Sequence, residues 1–445
     1  MGDISQEAAL LWLINQSTGK KAMSQRTTLC LVNVSGRNIT DMKVSAVSGF
    51  EKGNDPSVFI HGKLAQNSSI GGYVELLSAS EPALYSVELT FSDGTTLSFS
   101  DNQQNAINKH VGTLAHTGTA QGLEVWRSSG GDVGSTSHGT NGVYIRSSAV
   151  PDHSTWMGDL QQRKPGIALS DVTLPGSHDA GMYETHDYPL GGGGEWAKTQ
   201  SLSTLGQLQA GSRYFDIRVC WRGDELSTYH GTTGYGAYGA SLSSILEDVQ
   251  TFLNSDAGKD EAVILKFSHT YKNTVSSIIT EVKKLGERLQ IPKPAGGATN
   301  LAQTPLSDMK GKIVAVFADE FEAYWDQGQG IWPYFDTEEH PSSINGTYLT
   351  VYDHYSNVGV YESMAHDQMG KLGKYGGRGQ SYLFLLSWTL TGGGAVLDIE
   401  VLAGMANPWL PGKLASRAVQ EGHRPNIVYL DFIDPWLCGV AIGLN

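Results

Sequence analysis

Several familiar signatures are missing from this 445-residue sequence. No window approaches the ~18 consecutive apolar residues of a membrane-spanning helix. Cysteine is scarce: Cys30, Cys220 and Cys438 are odd in number and irregularly spaced, which excludes a disulfide scaffold or a zinc pattern and leaves buried free thiols. Positive charge is also short, with 31 Lys and Arg against 45 Asp and Glu for a net −14. That balance argues against phosphate-neutralising nucleic-acid binding and against retention on anionic lipid by charge alone. No Lys-Ser/Thr follows the four glycines Gly191 to Gly194, so they form no phosphate cradle.

With 40% hydrophobic and 17% charged residues, the chain is too apolar for disorder, and its 54 glycines imply many turns. The start carries Gly2 of a myristoylation signal but has Gln6 where Ser or Thr is wanted. The run from Ala8 to Ile14 lacks a basic flank and a cleavage site, so no signal peptide is expected. Sequons such as Asn33-Val-Ser and Asn67-Ser-Ser decide nothing about location.

Residues 1–150 read as an all-β sandwich-like unit. Tyr85, Val87, Leu89 and Phe91 alternate with polar residues, and Ser92-Asp93-Gly94-Thr95 turns the chain into Leu97 and Phe99. Thr27–Val34, Gly72–Leu77 and Val143–Ser147 are further strand candidates, and Ser128–Thr140 is a Gly/Ser-rich loop. Residues 151–445 have another texture. Seven apolar runs, beginning at Val172, Tyr214, Ala262, Lys312, Tyr348, Tyr382 and Asn426, resemble strands covered on both faces. Leu242, Ile245, Leu246, Val249, Phe252 and Leu253 follow helical spacing between them, and Val275–Leu289 is another helix candidate. The pattern fits an α/β fold with a (β/α) TIM-type barrel, whose chemistry belongs at the C-terminal strand ends.

Four such ends carry residues that a packed core would not select. They are His178 and Asp179 in Leu-Pro-Gly-Ser-His-Asp; Asp216 and Arg218, two apart on one strand face; His230 in Tyr-His-Gly; and Asp431. Two imidazoles, carboxylates to orient them and a guanidinium to neutralise a phosphate form a kit for general acid–base phosphoryl chemistry.

At these residues the sequence resembles the phosphatidylinositol-specific phospholipase C family, in its bacterial, metal-independent branch. The resemblance runs from about Trp156 to Asn445. It rests on Leu-Pro-Gly-Ser-His-Asp-Ala-Gly, Gly211-Ser-Arg-Tyr-Phe-Asp-Ile-Arg, Tyr-His-Gly, Gly311-Lys-Ile-Val, Leu349-Thr-Val-Tyr-Asp-His-Tyr and Val428-Tyr-Leu-Asp-Phe-Ile. It implies a distorted barrel in which His178, oriented by Asp431, is the general base. His230, supported by Asp179, is the general acid, Arg218 stabilises the phosphate, and Asp216 helps to hold Arg218 and binds the ring hydroxyls. It also implies cleavage of phosphatidylinositol, and of related glycosylated anchors, to diacylglycerol and inositol 1,2-cyclic phosphate, which a slower second step then hydrolyses. With Arg218 standing where the calcium-dependent branch has a carboxylate, no metal and no other cofactor is expected.

Asp353 and Tyr355 fall where the family reads inositol hydroxyls. The usual lysine after the fourth strand is replaced by Ser268, with Lys266 on the same face as a substitute, and a pocket arginine is replaced by Ala318. His186, His269 and His354 are expected to be satisfied structural histidines. Trp325, Trp332, Tyr334, Trp409 and Trp436 fall in or near predicted loops; core packing is the first expectation for them, and contact with a lipid interface the alternative. The expected partner is a phosphatidylinositol-containing membrane surface, met transiently by a monomer, with no nucleic acid involved. The resemblance favours secretion. The alternatives are a related barrel phosphodiesterase on another phospholipid and a lipid- or glycan-binding protein with a non-catalytic barrel.

Overall fold

The computed structural model describes residues 25–445 apart from 79–80, 105–108, 111–113, 115, 129–139, 188–193, 233–234, 272, 290–299, 338–347, 393–397, 417–418 and 420–421. The expectations for Gly2, for Ala8–Ile14, and for most of the Ser128–Thr140 and Gly191–Gly194 stretches therefore lie outside the described residues.

Two sheets face each other in the first part of the chain. One has the order Ser68–Leu76, Gln25–Val34, Thr140–Ser147, Leu123–Arg127; the other runs from His61–Leu64 through Ile39–Ser48, Ala83–Phe91 and Thr96–Gln104 to Lys109–His110. The alternation read in Tyr85–Phe91 is real, and these inward side chains meet Leu97 and Phe99 across the Asp93-Gly94 turn. Strand Gln25–Val34 differs, because both of its faces are buried. Leu29 and Leu31 point into the sandwich, while Cys30, Val32 and Val34 join a core shared with the rest of the chain. Val143 and Ile145 likewise face the sandwich while Tyr144 faces the shared core. Each large apolar side chain so buried contributes about 1.5–3 kcal/mol.

Eight parallel strands close a barrel: β1 (Leu174–Ser177), β2 (Tyr214–Ile217), β3 (Ala262–Phe267), β4 (Lys312–Phe317), β5 (Ile331–Thr337), β6 (Leu349–Tyr352), β7 (Leu383–Trp388) and β8 (Ile427–Leu430). Seven correspond to the apolar runs of the sequence. The eighth, β5, carries Trp332 and Tyr334, which the sequence reading assigned to loops. Pro333 and the preceding Gly330 obscure its strand character, yet it pairs with β4 through Ala315–Ile331 and Val316–Trp332. The helix Leu242–Asn254 (α1) buries the six residues that its periodicity selects. A helix over Val275–Lys283 follows β3. All three cysteines are buried and free. No helix among the described residues is long and apolar enough to cross a membrane.

Closure fixes the site. β1 pairs with β2 on one side, Ser177 beside Phe215, and with β8 on the other, Ser177 beside Leu430. Residues 178, 216–218 and 431 are thereby brought together at one end of three adjacent strands.

Candidate active site

The first residue past β1, His178, directs its Nδ1 to Oδ1 of Asp431, the first residue past β8, at 2.7 Å. Its Nε2 lies 3.2 Å from Nη2 of Arg218 and 3.3 Å from Oδ2 of Asp179. A guanidinium can only donate, so Nε2 is the acceptor of that pair and Nδ1 carries the proton given to Asp431. This is the tautomer that a general base working through Nε2 requires. Burial weighs against the charged ring, but Asp431 and Asp179 outweigh it and hold His178 above the ordinary histidine pKa.

Arg218 is clamped from two sides. Its Nε is 2.7 Å from Asp179 Oδ1 and its Nη2 is 2.9 Å from Asp216 Oδ2. Burial opposes the guanidinium charge, yet the two carboxylates raise its pKa further. Asp216 is itself fully buried, which alone would raise its pKa. Arg218 and Lys266 instead hold it well below the carboxylate range. Ligand atoms of His178, Asp179 and Asp216 lie within 4.8 Å of one another, a spacing that suits a cation. Arg218 is ion-paired to both carboxylates there, so the residues present do not fit a resident metal.

His230 approaches from an antiparallel sheet over the barrel, formed by Val219–Arg222, Glu225–Thr232, Tyr235–Ser241 and His186–Asp187. The neighbouring strand passes close to His230. Gly236 has φ +146, and a Cβ there would lie 2.2 Å from the His230 carbonyl oxygen. The His230 Nε2 is 3.8 Å from Asp179 Oδ2, and the two histidine rings stand 6.4 Å apart across a gap. Burial pushes the His230 pKa down, Asp179 partly opposes this, and His178 and Arg218 reinforce it.

A cavity of about 570 Å³ opens above these groups, lined among others by His178, Arg218, His230, Lys266, Asp353 and Tyr355. Lys266, paired in register with Asp216, places its Nζ 3.0 Å from Asp353 and 3.6 Å from Asp216. Asp353 also accepts from the Tyr334 hydroxyl at 2.9 Å. Tyr355 is 54% exposed at the rim. Ser268 does not point outward as a headgroup lysine would; its hydroxyl donates to Asp216 at 3.3 Å. All nine residues singled out from the sequence thus border or support one cavity.

Two residues at the site went unrecognised in the sequence. The Tyr429 hydroxyl donates to Asp216 at 2.6 Å, and its ring lies 5.2 Å from that of His178. The signal was its position two before Asp431, on the same strand face. His269, expected to be structural, lines the cavity in a left-handed conformation with φ +54. Asp179 and Phe432 share that region at φ +40 and +50, so strained backbone clusters around the mouth. His186 fits the structural expectation, and for His354 the hydrogen bonds are made by its backbone. His186 pairs with Glu184 at 3.3 Å, and the His354 carbonyl accepts from Gln368 and Lys371.

The loop aromatics follow the core-packing expectation and not the interfacial alternative. Trp332 and Tyr334 are buried on β5, Trp409 stacks on Tyr361, Trp436 lies beneath Arg146, and the half-buried Trp325 donates to the Phe317 carbonyl. Trp332 and Tyr334 proved to lie on a strand, Trp409 and Trp436 are covered by the sandwich, and Trp325 packs against Phe335 of β5. Among the described residues, the exposed large apolar side chains around the mouth are Trp196, Tyr271, Tyr324, Tyr355 and Val360.

Fold and site together define a closed (β/α) barrel with a histidine–arginine–carboxylate constellation at its C-terminal mouth. Residues 172–316 match the family described as phosphatidylinositol-specific phospholipase C, X domain. The variant-surface-glycoprotein phospholipase C of Trypanosoma cruzi is 30% identical over 141 residues, 26% of this chain and 37% of that protein. The 1-phosphatidylinositol phosphodiesterase of Listeria monocytogenes is 31% identical over 164 residues, 36% of this chain and 47% of that protein. The chain thus spans less than half the length of these curated relatives. The solved Listeria phosphatidylinositol-specific phospholipase C superposes with a TM-score of 0.47 at 20% identity, covering 66% of this chain and 99% of that one.

Proposed function

We propose that the protein is a phosphodiesterase that cleaves phosphatidylinositol, and glycosylated forms of it, to diacylglycerol and inositol 1,2-cyclic phosphate. The carrying observation is the pair of histidines 6.4 Å apart across an open cavity, one bound to Asp431 and both beside Asp179, with Arg218 between two carboxylates. In the proposed reaction the His178 Nε2 takes the proton of the inositol 2-hydroxyl, and that oxygen forms a bond to phosphorus. The bond from phosphorus to the glycerol oxygen breaks, and His230 delivers a proton to the leaving oxygen. Arg218 stabilises the charge gathering on the phosphoryl oxygens. Reversal of the two histidine roles lets water open the cyclic ester.

Lys266, Asp353 and Tyr355 are proposed to hold the ring hydroxyls. An adjoining cavity edged by Asp319, Glu320 and Asp336 favours a headgroup without additional phosphates. The exposed Trp196, Tyr271, Tyr324, Tyr355 and Val360 suit a transient apolar contact with a lipid surface, which an acidic chain cannot reach by net charge.

Phosphorus NMR of the products from phosphatidylinositol vesicles tests this reading, with a cyclic phosphate as the expected first product. His178→Ala and His230→Ala are each expected to lower the rate by roughly 10²–10⁴. Near-normal activity of either variant, or loss of activity in chelator that Ca²⁺ restores, would sink it.

A further inference from the structure

The sandwich meets the barrel over a surface shaped for close approach. A segment after β7 contains helices α2 (Ile399–Ala406) and α3 (Leu410–Leu414), joined by a turn over Asn407–Trp409. This turn presses on the outer face of strand Gln25–Val34 and its neighbours. The Cys30 thiol donates to the Pro408 carbonyl at 3.4 Å, Trp409 Nε1 to Thr140 Oγ1 at 3.2 Å, and the Gly412 amide to Ser69 Oγ at 2.9 Å. Two glycines make room. A Cβ at Gly71 would lie 2.6 Å from the Trp409 ring, and one at Gly142 would lie 2.7 Å from Pro408. Arg146 of the sandwich sits over Trp436 of the C-terminal helix at 4.0 Å and over its own Trp126 at 4.6 Å.

Asn407, the first residue of this turn, is 6% exposed, and its Nδ2 donates to the backbone carbonyl of Asp431 at 3.0 Å. The next peptide leads to Phe432 at φ +50. A residue there is held by its surroundings rather than by its own preference. Gln200 grips the same bend from the barrel side: Nε2 donates to the carbonyls of His178 and Leu430, and Oε1 accepts the Ile433 amide. The carboxylate that orients His178 thus sits on a bend held by Gln200, by the Phe432 amide donating to the Thr199 carbonyl at 2.7 Å, and by Asn407. Of these, Asn407 belongs to the turn on which the sandwich rests.

We propose that Asn407 is a positioning residue for Asp431, and that the sandwich, by docking on Pro408 and Trp409, holds Asn407 in place and so sets the alignment of the His178–Asp431 pair. The sandwich is then a working part of the catalytic site and not a detachable module. This inference rests on the proposed phosphodiesterase reading only in its kinetic arm. The groups facing His178 are Asp431, Asp179, Arg218, Asp216, His230 and Tyr429, and of these Asn407 touches only Asp431.

The test uses the full chain with Asn407→Ala, Trp409→Leu and, as a control in the distal sheet, Lys43→Ala. Two readouts are taken: steady-state cleavage of phosphatidylinositol, and NMR titration of the His178 imidazole. Asn407→Ala is expected to lower kcat roughly tenfold or more with KM nearly unchanged. The His178 pKa should fall by roughly half a unit or more as the contact with Asp431 loosens. Trp409→Leu, which leaves Asn407 itself in place, is expected to change both in the same direction, and Lys43→Ala neither. Variants that are folded and merely less stable, with normal kcat and an unmoved His178 titration, would overturn the proposal. If no variant and not even the parent chain cleaves phosphatidylinositol, the functional reading fails. The His178 titration then still decides the positioning claim, supporting it if the pKa falls and refuting it if it does not.

Discussion

Two arginines five residues apart, in the single motif Gly-Ser-Arg-Tyr-Phe-Asp-Ile-Arg, lie at opposite ends of the barrel. Arg213, just before β2, is at the bottom of the barrel. Its Nε and Nη2 both reach Glu261 Oε2, at 2.9 and 2.7 Å, and its other protons go to the carbonyls of Leu208, Ser212, His153 and Ser154. Neither partner of that pair is exposed at all. Arg218, at the mouth, is equally paired with carboxylates, but its side chain is 22% exposed and borders a cavity lined by both histidines. The difference shows how burial of charge divides into structure and chemistry. A guanidinium whose donors are all used within the protein holds elements together, whereas one that faces a cavity with its counter-charges fixed behind it is prepared for an incoming anion.

The largest effect should come from breaking the lower pair. Arg213→Ala leaves Glu261 buried without its cation and is expected to cost about 3–5 kcal/mol of stability, read by denaturant unfolding. Activity per folded molecule should stay near that of the parent. A second change, Glu261→Leu, should recover only part of the loss, because the amides of Met157 and Gly158 also donate to Glu261. An unchanged unfolding midpoint in Arg213→Ala would remove the distinction between the two arginines.

Arg218→Ala should behave in the reverse way. The proposed phosphate role predicts a fall in kcat/KM of roughly 10²–10³. Stability should drop by only about 1 kcal/mol, because Asp216 keeps Lys266, Tyr429 and Ser268 as partners and the cavity admits water. Arg218→Lys restores the charge but not the two-pronged geometry, so it should recover only a minor part of the rate. A smaller change is expected at Lys266. Lys266→Met removes one contact to Asp353 and, under the proposed headgroup role, should raise KM by roughly tenfold with a lesser effect on kcat. An unaltered KM would move headgroup recognition away from this residue.

The contrast between the arginines also marks how much the sequence disclosed. Motif and strand-end position singled out Arg218, His178, His230 and Asp431, because polar residues at the C-terminal ends of apolar runs stand out. The convergence of His178 with Asp431 followed only from closure between β1 and β8, a contact across 253 positions of sequence. Arg213 was quoted within its motif but not recognised as buried, since nothing local reveals that Glu261 is its partner. Strand β5 was missed because Pro333 and aromatic residues mimic a loop. The interfacial alternative for the loop aromatics stayed open in the sequence for a related reason. Whether Trp409 and Trp436 face solvent depends on what packs over them, and the sandwich that covers them lies more than 250 residues earlier in the chain. The double burial of Gln25–Val34, visible as an unbroken apolar run from Leu29 to Val32, was the available sign of that packing.

The most delicate consequence concerns pH. Under the proposed mechanism the reactive state has His178 neutral and His230 protonated. The structure raises the pKa of His178 and lowers that of His230, so this state is the less populated arrangement of a singly protonated pair. The kcat/KM profile should still be a bell, since the pair must hold one proton in total. Its acid limb follows His230, below the ordinary histidine value, and its alkaline limb follows His178, above it. Asp431→Asn removes the negative charge that raises His178, so the alkaline limb should move to lower pH while the acid limb changes little. A profile with a single limb between pH 5 and 9 would mean that only one histidine exchanges a proton in the reaction. The cavity charge would then act on substrate as a fixed field, as the Arg213 pair acts on the fold.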